Sequence, residues 1–388
     1  MKSRILWLSY GDANTHFFHV QAKIKRTRQH IATLKDESKE WLRGADLHNH
    51  VTTHFQSLFQ SGLSSTSLLP PQLLFSSSNF DPQALCDALI HFSDKEEIRA
   101  TLFTMHPLKS LGPDGFHAYF YQHNCQIVGE DIAKFTQTLF LTARIPEDLT
   151  QIKLVLIPKV PKPESVTQLR PISLCNTLYK LLTKLLVNRF KPFLPVMIHP
   201  TQLGFVPSRR ETDNYILAQE LLHFIHHQRE KTNLLAAKID LEKAYDKLEW
   251  SFIKYTLIFC HFPTPIIELI MACISSSSIS ILWNREASVP FHPSSGIRQG
   301  GPLSLYLFIL CLNHLSLSLD QAIHTKQLAP IRVGCCPIGF NHILFVNNIF
   351  LFAKANIQDC MTLFNYFLQF CEVSGQICST TKSKLFFS

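Results

Sequence analysis

No two of the eleven cysteines stand in a CxxC pair, and none is spaced with histidine in the manner of a zinc site. Scattered as singles apart from the neighbours Cys335 and Cys336, they read as buried, reduced thiols of an intracellular protein, nuclear or cytoplasmic. The opening MKSRILWLSYGDANTHFFH lacks a sustained apolar stretch and a small-residue cleavage site, which argues against a signal peptide. Long apolar runs are equally scarce. Leu303 to Leu319 is interrupted by Ser304, Asn313, His314 and Ser316, too short and too polar to span a bilayer, so no membrane partner is expected.

What the chain does have is apolar mass and basic charge. Hydrophobic residues make up 46% of its 388 positions and charged residues 17%, enough for a large core and, by length, two or three domains of a globular, soluble protein. A net charge of +8, with 19 histidines in reserve, favours polyanionic partners.

Residues 1–60 alternate helical patterning with basic residues, notably Lys23, Lys25, Arg26 and Arg28. A Ser- and Pro-rich stretch without period opens a linker over 61–89. A capping box, Ser93 with Glu96, then starts a helix and a compact domain over 90–388. Gly112, Pro113, Asp114 and Gly115 mark a turn before aromatic-rich helix. Lys153 to Lys162 (KLVLIPKVPK) is a β-prone run ending in a basic loop, and Leu178 to Phe193 has the pattern of a helix. A further helix over Asn214 to Glu230 carries His223, His226 and His227, with no carboxylate or cysteine at metal spacing nearby. Ala236 to Asp240 (AAKID) enters a sheet and Leu241 to Trp250 turns helical, which puts Asp240 at a strand's carboxyl end, where by itself it reads as a helix N-cap. Near the end, Ile343 to Val346 and Ile349 to Phe352 are apolar runs joined by Asn347 and Asn348, the pattern of a tight hairpin.

The wording of these stretches resembles the reverse transcriptase of LINE-type (non-LTR) retrotransposons, plant type. Carrying the resemblance are Trp7, Leu8, Gly11, Asp12, Asn14, Thr15, Phe17, Phe18 and His19 of a WL..GD.NT.FFH pattern, then GPDGF, LIPK, RPISL and TQLGFVPSRRETDN, where Ser208 replaces a glycine. DLEKAYDKLEW from Asp240, GIRQGGPLSLYLF from Gly296 and FCEVSGQICSTTKSKLFFS from Phe370 complete it. The resemblance implies an α/β (α+β) fold with the fingers and palm of a polymerase right hand over 90–388, an antiparallel palm sheet backed by helices, and a thumb absent or truncated. Residues 1–60 correspond to the connector that follows the family's endonuclease, itself expected to be absent.

It also implies roles. Lys159 and Arg170 face a nucleotide's triphosphate, Asp240 is the first ligand of Mg²⁺, and Tyr245 is the aromatic gate against a ribose 2′-hydroxyl, while Asp246 is structural. Arg298, Gln299 and Gly300 form a loop that approaches nucleotide and template, loosened by Gly301 in place of an aspartate and Leu305 in place of a proline. The partners would be an RNA template, a DNA primer and deoxynucleoside triphosphates. At the hairpin tip the family carries two aspartates. Here they are Asn347 and Asn348, each a neutral amide with one oxygen and two donors that cannot face a cation. The expectation is therefore an RNA-directed DNA polymerase domain whose chemistry is impaired. The alternatives are a nucleic-acid-binding pseudoenzyme and an intron maturase-like RNA-binding protein, the latter calling for a basic carboxyl-terminal domain.

Overall fold

The computed structural model describes residues 16, 19–20, 23, 30–62, 80–91, 93–227, 234–284, 286–332, 339–345 and 348–387. Asn347, the larger part of the WL..GD.NT.FFH segment, Lys25, Arg26, Arg28, and residues 63–79 of the expected linker lie outside them.

A short ribbon pairs Leu34–Lys35 with Trp41–Leu42 and leads into helix α1, Gly44–Leu58. On α1, Leu47, Val51, Phe55 and Leu58 recur every three or four residues and are all buried, which lays one helical stripe on the main core. The carbonyl of Phe59 accepts from the backbone N–H groups of Ser294 and Ser295 at 2.9 and 3.1 Å, and the Ser61 hydroxyl donates to Glu249 at 2.8 Å. Residues 31–59, expected as part of a connector, thus share their core with the rest of the chain, and Ser61 of the expected linker is bonded to Glu249.

Helices α2 (Pro82–Ile90), α3 (Lys95–Phe103), α4 (Ala118–His123) and α5 (Cys125–Thr142) follow. The cap of α3 is Asp94, whose carboxylate accepts from Glu97 N–H, not the expected Ser93. Ser93 is buried instead, and its hydroxyl accepts from Arg189 at 2.8 Å. A buried guanidinium, each of whose N–H groups needs an acceptor, competes for that oxygen more strongly than a helix end that an aspartate next door can satisfy.

Strands β1 (Gln151–Pro158) and β2 (Leu169–Leu174) form an antiparallel pair, joined by β4 (Ser278–Trp283) lying parallel to β1. Between them in sequence come α6 (Thr177–Phe190), α7 (Glu211–His227), β3 (Leu234–Asp240), α8 (Trp250–Phe259) and α9 (Thr264–Ser275). The chain ends with α10 (Pro302–His324), β5 (His342–Phe345), β6 (Asn348–Lys354), α11 (Ile357–Ser374) and β7 (Lys384–Phe387). The second sheet has the order β5-β6-β3-β7, antiparallel throughout. Its faces are set by the two-residue period of its strands. Ala237 and Ile239 of β3 with Ile349, Leu351 and Ala353 of β6 enter the main core, whereas Leu234, Ala236 and Phe352 face a smaller cluster with Leu221 and Ile225 of α7.

Residues 241–249 form a β-bridge at Leu241, turns over 242–246 and irregular chain to Glu249, not the helix expected there, and α8 starts only at Trp250. The cause is long-range: Glu242 N–H goes to the carbonyl of Ile377, while the carbonyls of Tyr245 and Leu248 accept from Ile297 and Gly296. These long-range bonds hold the segment against the 296–297 and 377 backbones, and an i to i+4 bond within it runs from Lys247 N–H to the Lys243 carbonyl.

α10 is long and apolar enough to cross a membrane by length and composition alone, although 83% of its most apolar window is buried inside the protein. Among the described cysteines all nine are free, with Cys175, Cys260, Cys273 and Cys311 buried and the others half-buried. His314 of α10 is also buried, with neither ring nitrogen bonded, among the rings of Phe252, Tyr255 and Phe259 at 5.2, 5.6 and 4.8 Å. Burial lowers its pKa to about 4. A histidine depressed in the fold binds its proton more readily when unfolded, so its contribution is complete above the usual value of about 6.5 and is lost as pH falls towards about 4. His314→Phe should therefore raise the urea midpoint, and raise it more at pH 5 than at pH 7.5; an equal shift at both would show that this imidazole is not titrating.

Candidate active site

β3 delivers Asp240 at its carboxyl end, and the sheet register sets Asn348 directly opposite it. Asn348, expected in the hairpin tip, is the first residue of β6 and pairs on its other side with Phe345. Three contacts from the segment after α11 fix Asp240. Ser379 N–H donates to its carbonyl at 2.9 Å, its own N–H donates to the Ser383 hydroxyl at 3.2 Å, and Lys382 Nζ lies 3.5 Å from its carboxylate.

Asp240 lines a cleft of about 1040 Å³ whose lining is strongly basic. Of the residues expected at a nucleotide, Lys159, Arg170, Tyr245, Gln299 and Gly300 line this cleft with Asp240. The antiparallel pairing of β1 with β2 brings the first two together, since Lys159 directly follows β1 and Arg170 stands opposite Ile157. Burial first, and then the charges of Lys382 and Arg170, lower the pKa of Lys159. The ring of Tyr245 lies tilted against Phe308 with centroids 5.0 Å apart, and burial raises its phenol to about 12. Gly300 adopts φ of +100°, a conformation that side chains resist, and at Gly296 a Cβ would sit 2.5 Å from the carbonyl of Asp246.

Arg298 does not join them. Its side chain turns away from the cleft into the interior, the guanidinium 4.2 Å over the ring of Tyr179 and beside the buried thiol of Cys175. The reason is in the backbone: Ile297 N–H is tied to Tyr245 and Ser173 N–H to the Gln299 carbonyl, so when Gln299 faces the cleft its neighbour faces the core.

Several cleft residues were not among the expected site residues. Lys243 lines it and donates to His54 Nε2 of α1 at 3.0 Å. Burial lowers Lys243, and burial followed by the charge of Lys243 lowers His54 to about 4. Lys180 and Lys184 are committed to the carbonyls of Ser110 and Thr104 at 2.8 and 3.1 Å. Lys382 was visible only as a retained letter of the KS pair, because its 142-residue separation from Asp240 hides the contact.

Asp246 is 1% exposed and accepts from Gln299 Nε2 at 3.2 and 3.1 Å. Burial raises its pKa to about 7. A carboxyl raised in the fold holds its proton where the unfolded chain has lost it, so stability declines as pH rises from about 4 to about 7. At about 1.4 kcal/mol per pKa unit the upper bound is about 4 kcal/mol. Asp246→Asn should stabilise the chain above pH 7 and change it little at pH 4.5, measured by urea denaturation at both. Stabilisation of equal size at both pH values would rule out the titration.

Enzymes of the reverse transcriptase kind work with divalent metal ions, and the donor set here fits a two-cation site poorly. Hard cations need anionic oxygens. The carboxylates lining the cleft are Asp240, which faces an ammonium, and Asp246, which is buried and bonded to Gln299; opposite Asp240 stands the neutral amide of Asn348.

Mixed helices and sheets around a cationic cleft with a strand-end aspartate describe a nucleic-acid polymerase domain. The chain belongs to the reverse transcriptase (RNA-dependent DNA polymerase) family, whose pattern residues 157–387 match. It is 27% identical over 326 residues to the Transposon TX1 uncharacterized 149 kDa protein of Xenopus laevis, covering 80% of this chain and 24% of that protein. It is 24% identical over 281 residues to the Retrovirus-related Pol polyprotein from type-2 retrotransposable element R2DM of Drosophila melanogaster, covering 72% and 25%. With the corresponding polyprotein from type-1 retrotransposable element R2 of Popillia japonica it shares 27% over 188 residues, 48% of this chain and 26% of the relative. The chain spans about a quarter of the length of these curated relatives. They agree with the non-LTR retrotransposon type that the motifs resemble.

Proposed function

We propose that the chain is the fingers and palm of a non-LTR retrotransposon reverse transcriptase whose nucleotidyl-transfer chemistry is impaired. The carrying observation is the register that sets Asn348 opposite Asp240. In this reading β5-β6-β3-β7 is the palm sheet and α3 to α5 with β1 and β2 belong to the fingers. Lys159 offers a point charge and Arg170 a two-pronged guanidinium to a deoxynucleoside triphosphate. Tyr245, packed against Phe308, occupies the wall where a sugar would pass, and Gln299 and Gly300 present side chain and bare backbone to the nucleotide and an RNA template paired with a DNA primer. Arg298 holds this loop from beneath. Asp240 is what remains of the Mg²⁺ site.

The basic cleft favours a second role, binding nucleic acid without copying it. Binding of a labelled RNA should weaken steeply between about 50 and 200 mM salt, as expected when lysines replace the counterions of phosphates.

The test of the main reading is primer extension on an RNA template by this chain and by its Asn347→Asp/Asn348→Asp variant. Extension by the variant and not by the parent is expected. Equal extension by both would overturn the impairment, and failure of both to bind primer–template would overturn the polymerase reading itself.

A further inference from the structure

The charges around Asp240 are arranged as if cations were already in place. Lys382 Nζ is 3.5 Å from the Asp240 carboxylate, and this lysine lines the cleft with its side chain 64% exposed, so its remaining donors are open to a ligand. Lys243 donates to an imidazole rather than to a carboxylate, a contact that fixes the ammonium's direction without cancelling its charge. The ammonium of Lys159 is anchored on the Thr167 carbonyl at 2.9 Å, another neutral acceptor. Asp246, 1% exposed and bonded to Gln299 Nε2, lies within electrostatic reach of Lys243 and Lys159. Asp240, Asp246 and Glu242 are thus met by Lys382, Lys243 and Lys159 together with Arg170, a set that stays net positive.

A two-cation site in water needs several carboxylates because the ions carry four positive charges between them. With the hairpin carboxyls replaced by amides, what remains near Asp240 has a net positive charge before any metal arrives, and a divalent ion entering there must approach Lys382 across a few ångströms. Phosphate oxygens, by contrast, meet several preset donors.

We propose that Lys382, with Lys243 and Lys159, supplies the positive charge that divalent cations would otherwise bring, so that this cleft holds the triphosphate of a deoxynucleoside triphosphate without divalent metal. This rests on the reading of the cleft as a nucleotide site. It separates substrate binding, which the chain keeps, from metal-dependent chemistry, which it has lost. Lys382 is the main replacement, since it alone of the three touches the carboxylate.

The experiment is titration of the full chain with a fluorescently labelled deoxyadenosine triphosphate, in excess EDTA and in Mg²⁺, with an unlabelled oligonucleotide lacking a triphosphate as competitor. Affinity should be the same within about twofold in the two buffers. Lys382→Met, an exposed substitution, should weaken binding in EDTA by about tenfold or more, the loss of one charge-assisted contact. The Asn347→Asp/Asn348→Asp variant should become metal-dependent, binding more weakly than the parent in EDTA and recovering in Mg²⁺. Binding by the parent only in Mg²⁺ overturns the inference and leaves the nucleotide-site reading intact. Absence of triphosphate binding by parent and variant in both buffers overturns both. Full displacement by the oligonucleotide at concentrations that match its phosphate content shows a backbone site and overturns the inference as well.

Discussion

Primer extension should rise by about a thousandfold when Asn347→Asp and Asn348→Asp are introduced together. The magnitude follows from the charge. At 4 Å and an effective dielectric of about 20, a charge pair interacts at about 4 kcal/mol, and a barrier lowered by that amount is a rate increase of about a thousandfold. The scaffold should tolerate the change, since amide and carboxylate have the same shape and Asn348 already sits in register between Phe345 and Asp240. Asn348→Asp alone should recover less. It returns one carboxylate beside Asp240, where Lys382 competes for both. Single-turnover extension on an RNA template in Mg²⁺, with circular dichroism to confirm folding, measures all three variants. A double variant that folds, binds primer–template and still fails to extend would place the limit in the loop where Gly301 and Leu305 stand, not in the missing carboxylates.

Arg189→Ala should cost about 3 to 5 kcal/mol, the largest stability loss expected of an ionic substitution in this chain. Arg189 is 8% exposed on α6 and is satisfied on every side. Its Nε and Nη2 bind the two oxygens of Glu97 at 2.9 and 2.6 Å, Nη1 donates to the Leu89 carbonyl at 3.1 Å, and Nη2 also reaches the Ser93 hydroxyl. The guanidinium packs 5.0 Å from the ring of Phe140. One side chain thus ties α2, α3 and α5 to α6. Removal leaves Glu97 half-buried without its partner and a void against Phe140. Urea denaturation of Arg189→Ala, Glu97→Gln and the double variant should show strong coupling, with the double losing less than the two singles together. Additive losses would mean that the pair contributes through packing alone.

The elements legible in the sequence were those whose pattern is local. β1 and β2 follow the apolar runs of KLVLIPK and RPISL, β3 follows AAKID, and Asp240 falls at its end as its position before a polar stretch requires. The hairpin was legible as apolar runs flanking a polar pair, though Asn348, expected in the link, opens β6 because the ladder sets it opposite Phe345. Ser93 and residues 241–249 departed from expectation for one reason. Each has a good local partner and a better distant one, Arg189 for the first and the backbones of Ile297, Gly296 and Ile377 for the second.

The sequence by itself determined the family, the course of the strands and the loss of two carboxylates, since motif letters, two-residue periods and residue identities are all carried within short windows. Only the tertiary structure decided which charges meet. It turned Arg298 inward over Tyr179 while Gln299 stayed in the cleft, and it placed His54 of α1 on Lys243 and Lys382 on Asp240. These contacts join segments from opposite ends of the chain. Their energy depends on distances between charges and on water excluded by the packed sheet, and neither quantity exists until the chain has closed on itself.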